Sequence, residues 1–268
     1  MRITIIQGPF LPVPALRGGA VEKMWFELGA EFAARGHTVT HISRLCDGMA
    51  AEEQLRGVQH RRVRGSERPR RTSLAILHDW FYARRARRVA PEADVVVTNS
   101  FCAPVLLAPR HGALYVDVQR MPKGQLKFYR RAARFRANSS AVSGAILDQM
   151  PDAADRVRVI PNPLPFGSER PVDWTRKTKT VLFAGRLHPE KGIELLLEAW
   201  MSRRKAGRLD GWRLELVGPA KEAEGGGGEA WAKIVQARFP SPEVTWHAPI
   251  YDNAQLNESY ERATVFAY

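Results

Sequence analysis

The sequence predicts an α/β protein built as two successive parallel-sheet domains, each with helices on both faces of its sheet. Three observations carry this. Short runs rich in Val, Ile and Leu alternate with stretches of helical periodicity, the alternation breaks at PFGSERPVDWTRKTKT, and it then restarts. The break is polar and proline-bearing, and it sets domains of residues 1–170 and 171–268 within a chain of 268, ample for two hydrophobic cores.

In the first domain RITIIQG reads as a strand, FLPVPALRGG as a loop and AVEKMWFELGAEFAARG as a helix. Val21, Trp25, Leu28 and Phe32 share one helical face, and Gly36 ends the helix. HTVTHIS is a second strand, and DVVVTN and ALYVDV are buried strands with a helix between them. SSAVSGAILDQM turns from a strand end into a helix that Ser143 can cap, and VRVIPNPL is a short strand and turn. After the break come the strands TVLFAG, WRLELVG, EVTWHAP and TVFAY. The helices PEKGIELLLEAWMSRR, EAWAKIVQARF and NAQLNESYERA separate them. The insertion GPAKEAEGGGGEA reads as a flexible loop whose glycines act as spacer. Ligands of open parallel sheets sit at the carboxyl ends of the strands, so a binding cleft between the two domains is expected.

Composition excludes several classes. A hydrophobic content of 44% is that of a globular protein, not a disordered one. No apolar run reaches the length of a membrane span, and MRITIIQGPF is too short and too soon interrupted for a signal peptide, so a cytoplasmic location is expected. Cys46 and Cys102 match no zinc or redox spacing and read as buried reduced thiols. The loop QGPFLPVPALRGGA lacks G-x-G-x-x-G, and HTVTHISR ends without the acid that would hold a nicotinamide ribose, which argues against a dehydrogenase.

The chemistry concentrates in FAGRLHPEKGIELLLEAW. A strand-to-helix turn needs a glycine and a cap, whereas Arg186 and Lys191 stand at the positive end of a helix, where cations are disfavoured. Their placement makes sense if an anion lies between them and the helix start: Arg grips phosphate oxygens with a planar fork and Lys adds a point charge. His188 reads as a loop residue without chemistry. Gly18 and Gly19 precede the first helix, where a bare backbone can approach a ligand or simply make a turn.

These segments, with VIPNPL, WRLELVGP and VTWHAPIYDNAQLNESYERATVFAY, resemble the family 4 retaining glycosyltransferases over nearly the whole chain, most specifically in Gly-Arg-Leu-x-Pro-Glu-Lys-Gly. The resemblance implies the glycosyltransferase-B architecture of two Rossmann-like domains, and transfer of a sugar from a nucleotide-diphosphate sugar to a saccharide or lipid-linked acceptor in cell-surface glycan synthesis. It implies that Arg186 and Lys191 hold the donor diphosphate, with Gly18, Gly19 and Gly218 also donor-binding, and that neither cofactor nor metal is used. No Asp-x-Asp metal motif is present, and fixed cations with helix N-termini can stabilise a leaving phosphate without one. Where many relatives carry a histidine, this chain has Asp117, which is either a catalytic group acting on a sugar hydroxyl or a loop cap. Relatives continue past TVFAY into a Pro-Ser turn and a Glu-x7-Glu motif. The second domain is therefore expected to be incomplete at Tyr268, and the chain alone to transfer sugar poorly.

The net charge of +13 sits in the first domain. Residues 1–170 hold 27 Lys and Arg against 15 acids, and residues 171–268 hold 14 against 13. Seven arginines lie between Arg56 and Arg71. At helical spacing Arg84, Arg87 and Arg88 share one side, as do Arg130, Arg131 and Arg134, with Phe81, Tyr82, Phe128, Tyr129 and Phe135 interleaved. This pattern fits either a solvated surface or peripheral attachment to an anionic membrane. Two further classes are carried beside the enzyme: a non-catalytic sugar-nucleotide or partner-binding module, and a nucleic-acid binder, for which no helix-turn-helix, zinc-finger or RNP signal is found.

Overall fold

The computed structural model describes residues 1–15, 19–69, 71–163 and 171–268, and the chain divides into two units, residues 1–167 and 168–268. In the first, β1 (Arg2–Ile6) is followed by α1 (Ala20–Ala34), β2 (Thr38–Leu45), β3 (Glu52–Leu55) and β4 (Val58–Arg64). Next come α2 (Thr72–Val89), β5 (Val95–Thr98), α3 (Ala103–Leu106), β6 (Ala113–Val118), β7 (Arg134–Ala137), α4 (Ser140–Gln149) and β8 (Val157–Val159). The strands form one sheet in the order β3-β4-β2-β1-β5-β6-β7-β8, parallel except for the β3–β4 pair.

Alternation along β1 divides the core. Ile3 and Ile5 pack with Met24 and Trp25 of α1 on one face, with Val21, Leu28 and Phe32 packed against them, so the expected helical face is the buried one. Ile6 belongs to the larger cluster on the other face, with Tyr82, Ala83 and Ala86 of α2 and Ile146 of α4.

Three local expectations are corrected. The β3–β4 hairpin was not anticipated, because its inward positions include His60 and Arg62 rather than apolar residues. It turns through Arg56 and Gly57, both at positive φ, the two-residue turn that matches strand twist. The arginines of RRAARFRA lie on no helix: a 3-10 turn at Leu126–Phe128 leads into β7, where Phe135 and Ala137 alternate inward. Tyr82, Tyr129 and Phe135 are core residues, leaving Phe81 and Phe128 as the exposed aromatics of that set. The cap of α4 is Ser139, whose Oγ accepts from the Val142 amide, and not Ser143.

The second unit contains β9 (Thr178–Ala184), α5 (Ile193–Lys205), β10 (Arg213–Val217), α6 (Glu229–Arg238), β11 (Val244–His247), α7 (Asn253–Arg262) and β12 (Ala263–Phe266). Its parallel sheet runs β11-β10-β9-β12. Phe183, Leu187, Leu197, Trp200 and Leu216 fill one face, and Leu182, Val217 and Ala263 the other. Strand, helix and sheet order agree with the α/β class expected of a glycosyltransferase-B protein. Among the described residues no helix is long and apolar enough to cross a membrane.

Candidate functional site

In the second unit the chain leaves β9 toward β10 on one side, while β12 lies on the other, so the carboxyl end of β9 is where the strand order reverses and a parallel sheet opens a crevice. The turn that carries Arg186 and Lys191 stands there. Pairing continues beyond the strand ends: Gly185 N–H donates to Val217 O at 2.9 Å and Leu187 N–H to Pro219 O at 3.0 Å. The two backbones approach so closely that a Cβ on Gly218, whose φ is +151°, would stand 1.8 Å from Gly185 O. Gly218 thus shapes the crevice floor by having no side chain.

His188 then caps a 3-10 turn at Pro189–Lys191, its Nδ1 accepting from the Glu190 amide at 3.2 Å. Gly192 takes the left-handed conformation, φ +67°, and α5 starts directly after it with no side-chain cap. The first N–H groups of α5 are therefore left for a ligand or solvent. His188 thus has a structural task as the cap of this turn.

Arg186 Nη1 donates to Gly225 O at 2.8 Å, and Nη2 is paired with the Glu190 carboxylate. Hydrogen bonding and charge from Arg186 hold the Glu190 carboxyl below its usual range. Lys191 Nζ lies 5.2 Å from the ring centroid of Tyr268, which follows β12 and stacks on Phe266. Turn and strand end thus meet on the two sides of the reversal.

The four glycines before α6 are not a spacer. Gly227 N–H donates to Leu187 O and Gly228 N–H to Ala220 O, each at 2.8 Å. A Cβ on Gly226 would stand 2.3 Å from Ala220 backbone, and one on Gly227 2.6 Å from Pro189 Cδ. The segment packs on the cationic turn and supplies the carbonyl that orients Arg186. Sequence reasoning missed this because a glycine run looks the same whether it spans open solvent or presses against another backbone.

In the first unit Gly19 precedes α1 with φ +107°, while Gly18 lies outside the described residues. The Glu22 side chain folds back over Gly19: a Cβ there would lie 2.5 Å from Glu22 Oε2. Burial pushes the Glu22 carboxyl up from its ordinary value. Glu22 was not singled out in the sequence, where an acid in a first helical turn looks like ordinary dipole complementation.

Asp117, at the end of β6, has a side chain with 0% exposure. Trp25 Nε1 donates to its Oδ2 at 2.7 Å, Arg136 Nη1 to Oδ1 at 2.8 Å, and Gln119 Nε2 reaches both oxygens at 2.8 Å. Arg136 continues to Pro161 O and Asn162 Oδ1. The carboxylate is thus the centre of a closed network joining α1, β6, β7 and the segment after β8. The strand order of this unit reverses between β1 and β5, where Gln7 and Asn99 follow the strands. Both carry a buried side-chain oxygen that lacks a hydrogen-bond partner among the described residues. Their signal in the sequence was a polar residue placed directly after a buried apolar strand, in ITIIQG and VVVTNS.

Comparison with known proteins gives these sites a context. The model of Glycosyltransferase Family 4 matches residues 18–165, and that of Glycosyl transferases group 1 matches residues 178–268. YtcC of Bacillus subtilis (strain 168), provisionally named a glycosyltransferase, is 23% identical over 225 residues, 74% of this chain and 52% of that protein. The chain spans about half the length of the curated relatives it matches. Sucrose-phosphate synthase of Thermosynechococcus elongatus shares 17% identity at a TM-score of 0.72, with 99% of this chain and 74% of that one covered. Anabaena HepE, solved in complex with UDP-glucose, shares 17% identity at a TM-score of 0.64, covering 96% and 71%. These two structures share the fold. With one family model matched from α1 through β8, over half of the chain, and a second across the cationic turn, the chain belongs to glycosyltransferase family 4.

Proposed function

We propose that the protein is a retaining glycosyltransferase that moves a sugar from a nucleoside-diphosphate sugar to a saccharide or lipid-linked acceptor, in the synthesis of cell-surface glycans. The observation that carries this reading is that Arg186 and Lys191 stand on one glycine-walled turn, beside an uncapped helix start, at the reversal point of the second sheet. Cleavage of the bond between the sugar C1 and the diphosphate oxygen leaves negative charge on that oxygen. Two cations and the α5 N–H groups stabilise it where it develops. The acceptor oxygen forms the new bond to C1 on the face that the diphosphate leaves, and its proton passes to the departing phosphate. The reading calls for no metal, and nucleoside-diphosphate binding unchanged by EDTA is expected.

In this reading Gly218 lets the backbones beneath the donor turn close together, and Asp117 acts at one remove by fixing Trp25 and Arg136. Gln7 and Asn99 offer unpaired oxygens to acceptor hydroxyls. HepE binds UDP-glucose, which makes UDP and UDP-glucose the first probes, followed by the guanosine and adenosine counterparts. A saturating nucleoside diphosphate is expected to raise the melting temperature by a few degrees, about the shift that binding at 100 times Kd confers. Arg186→Ala and Lys191→Ala should each abolish the rise. If no nucleotide moves the melting temperature, or the variants respond as the parent does, the reading is wrong.

A further inference from the structure

We infer that the outward face of α2 is a docking surface for an anionic lipid bilayer. The helix is held to the sheet by a narrow strip of Asp79, Tyr82, Ala83 and Ala86, all buried. Opposite that strip, Leu74, Leu77, Phe81, Arg84 and Arg88 fall at alternating spacings of three and four and share one stripe, flanked by Ile76, Trp80 and Arg87. Five large apolar residues of this one helix stand in solvent, Leu77 at 48% and Phe81 at 51% exposure, with Leu74, Ile76 and Trp80 close behind. Solitary apolar residues on a surface need no explanation, but five on one helical face form a patch.

The segment after β5 is tied to the inner side of the helix. Cys102 Sγ donates to Ile76 O at 3.6 Å, and Ser100 Oγ donates to Asp79, which tie the segment after β5 onto α2. Phe101 and Val105 of that segment are exposed as well.

The charge distribution selects the partner. The apolar residues occupy the first half of α2 and the arginines the last two turns. Among the described residues Arg84, Arg87 and Arg88 have no carboxylate partner, although ion pairs engage Arg2, Arg35, Arg44, Arg56, Arg61, Arg62 and Arg136 elsewhere in this unit. A second copy of this chain would bring like-charged arginines to the same face. A sheet of anionic head groups over an acyl layer takes both halves of the stripe: apolar side chains enter the boundary and arginines meet phosphates. The other basic cluster, at Arg130, Arg131 and Arg134, offers only Phe128 as an exposed aromatic partner and lies on a turn and a strand, so it lacks such a face.

The inference is compatible with a lipid-linked acceptor but does not rest on sugar transfer, and its test uses no donor. The whole protein is sedimented with phosphatidylcholine vesicles, with and without phosphatidylglycerol, at low salt. Binding at least tenfold tighter to the anionic vesicles is expected. Leu77→Asp with Phe81→Asp should remove it. Arg84→Glu with Arg88→Glu should abolish the anionic preference, since each basic residue near such a surface is worth severalfold in binding. The matched pair Arg130→Glu with Arg134→Glu should leave most of it, and circular dichroism confirms folding of each variant. Equal binding to both vesicle types overturns the proposal, as does a loss as large in the control pair as in the α2 pairs. So does a dimer that Leu77→Asp with Phe81→Asp dissociates in the absence of vesicle binding.

Discussion

Arg186 Nη1 donates to the carbonyl oxygen of Gly225 at 2.8 Å, which fastens the turn after β9 to the glycine segment before α6. The guanidinium is thereby aimed by backbone, and its second edge is taken by Glu190 on the same turn. A phosphate arriving at this turn meets an arginine already oriented, with a carboxylate in the place a phosphate oxygen would take. Preorganised charge of this kind costs little rearrangement when negative charge develops.

Glu190 is ionised at neutral pH as an ordinary glutamate is, and hydrogen bonding and charge from Arg186 favour that form further. It therefore competes with an anionic ligand for the same donors. Glu190→Gln should tighten the binding of a nucleoside diphosphate severalfold, measured by isothermal titration calorimetry with UDP, GDP and ADP. Weaker binding in the variant would mean that Glu190 holds Arg186 in its productive pose rather than occupying the ligand's place.

Gly218 and Gly192 both have positive φ, but their surroundings differ. A Cβ on Gly218 would overlap Gly185 O, whereas one on Gly192 meets nothing within 4 Å. Gly218→Ala must push two backbones apart and should cost about 2–5 kcal/mol. Gly192→Asn should cost well under about 1 kcal/mol, since asparagine tolerates the left-handed region. Urea unfolding followed by tryptophan fluorescence separates the two, and equal midpoints would refute the packing account.

Much of this architecture could be read from the chain because buried parallel strands are continuous apolar runs. TVLFAG, DVVVTN and ALYVDV needed no tertiary information. Arg186 and Lys191 stood out for a similar reason, being cations where helix electrostatics disfavours them. What could not be read depended on distant partners. The indole of Trp25 meets Asp117 across 92 positions, and no local pattern marks that pairing. The glycines at 225–228 looked like a spacer because composition carries no record of what presses against a backbone. RRAARFRA misled through its arginine spacing, while the period of two in Phe135 and Ala137 was the signal that decided its structure.

Asp117 gives a direct contrast between its two readings. Replacing it with Asn leaves the shape but strips Arg136 of its counter-ion and forces one amide edge against the donors of Trp25, Arg136 and Gln119. Breaking a buried pair in this way costs about 3–5 kcal/mol, and less here because Arg136 retains slight solvent access. Asp117→Asn should therefore lower the unfolding midpoint markedly. A variant of parental stability that loses only activity would restore Asp117 to the catalytic role.

The pH dependence of stability between neutral and mildly acid pH should trace mainly to His41 and His60, with a smaller share from buried His111. His41 and His60 are register partners on β2 and β4, their rings stack at 5.4 Å, and both are fully buried. Among the described residues none of their four ring nitrogens has a hydrogen-bond partner. Burial, then His60 and the Arg62 charge, lower His41 to about 3, and burial with the Arg62 charge lowers His60 to about 4. Glu53, the carboxylate paired with Arg62, offsets this only in part at His60. The folded state thus keeps both rings neutral, whereas the unfolded chain takes up protons below its ordinary histidine value near 6.5. Stability is full above that value and falls as the pH drops from about 6.5 toward 4, by up to about 1.4 kcal/mol per pH unit for each histidine. His41→Gln removes one of the two sites. The loss in unfolding free energy between pH 7.5 and pH 5 should then be roughly halved relative to the parent. Urea titrations at the two pH values measure it, and an unchanged difference would place the acid sensitivity elsewhere in the molecule.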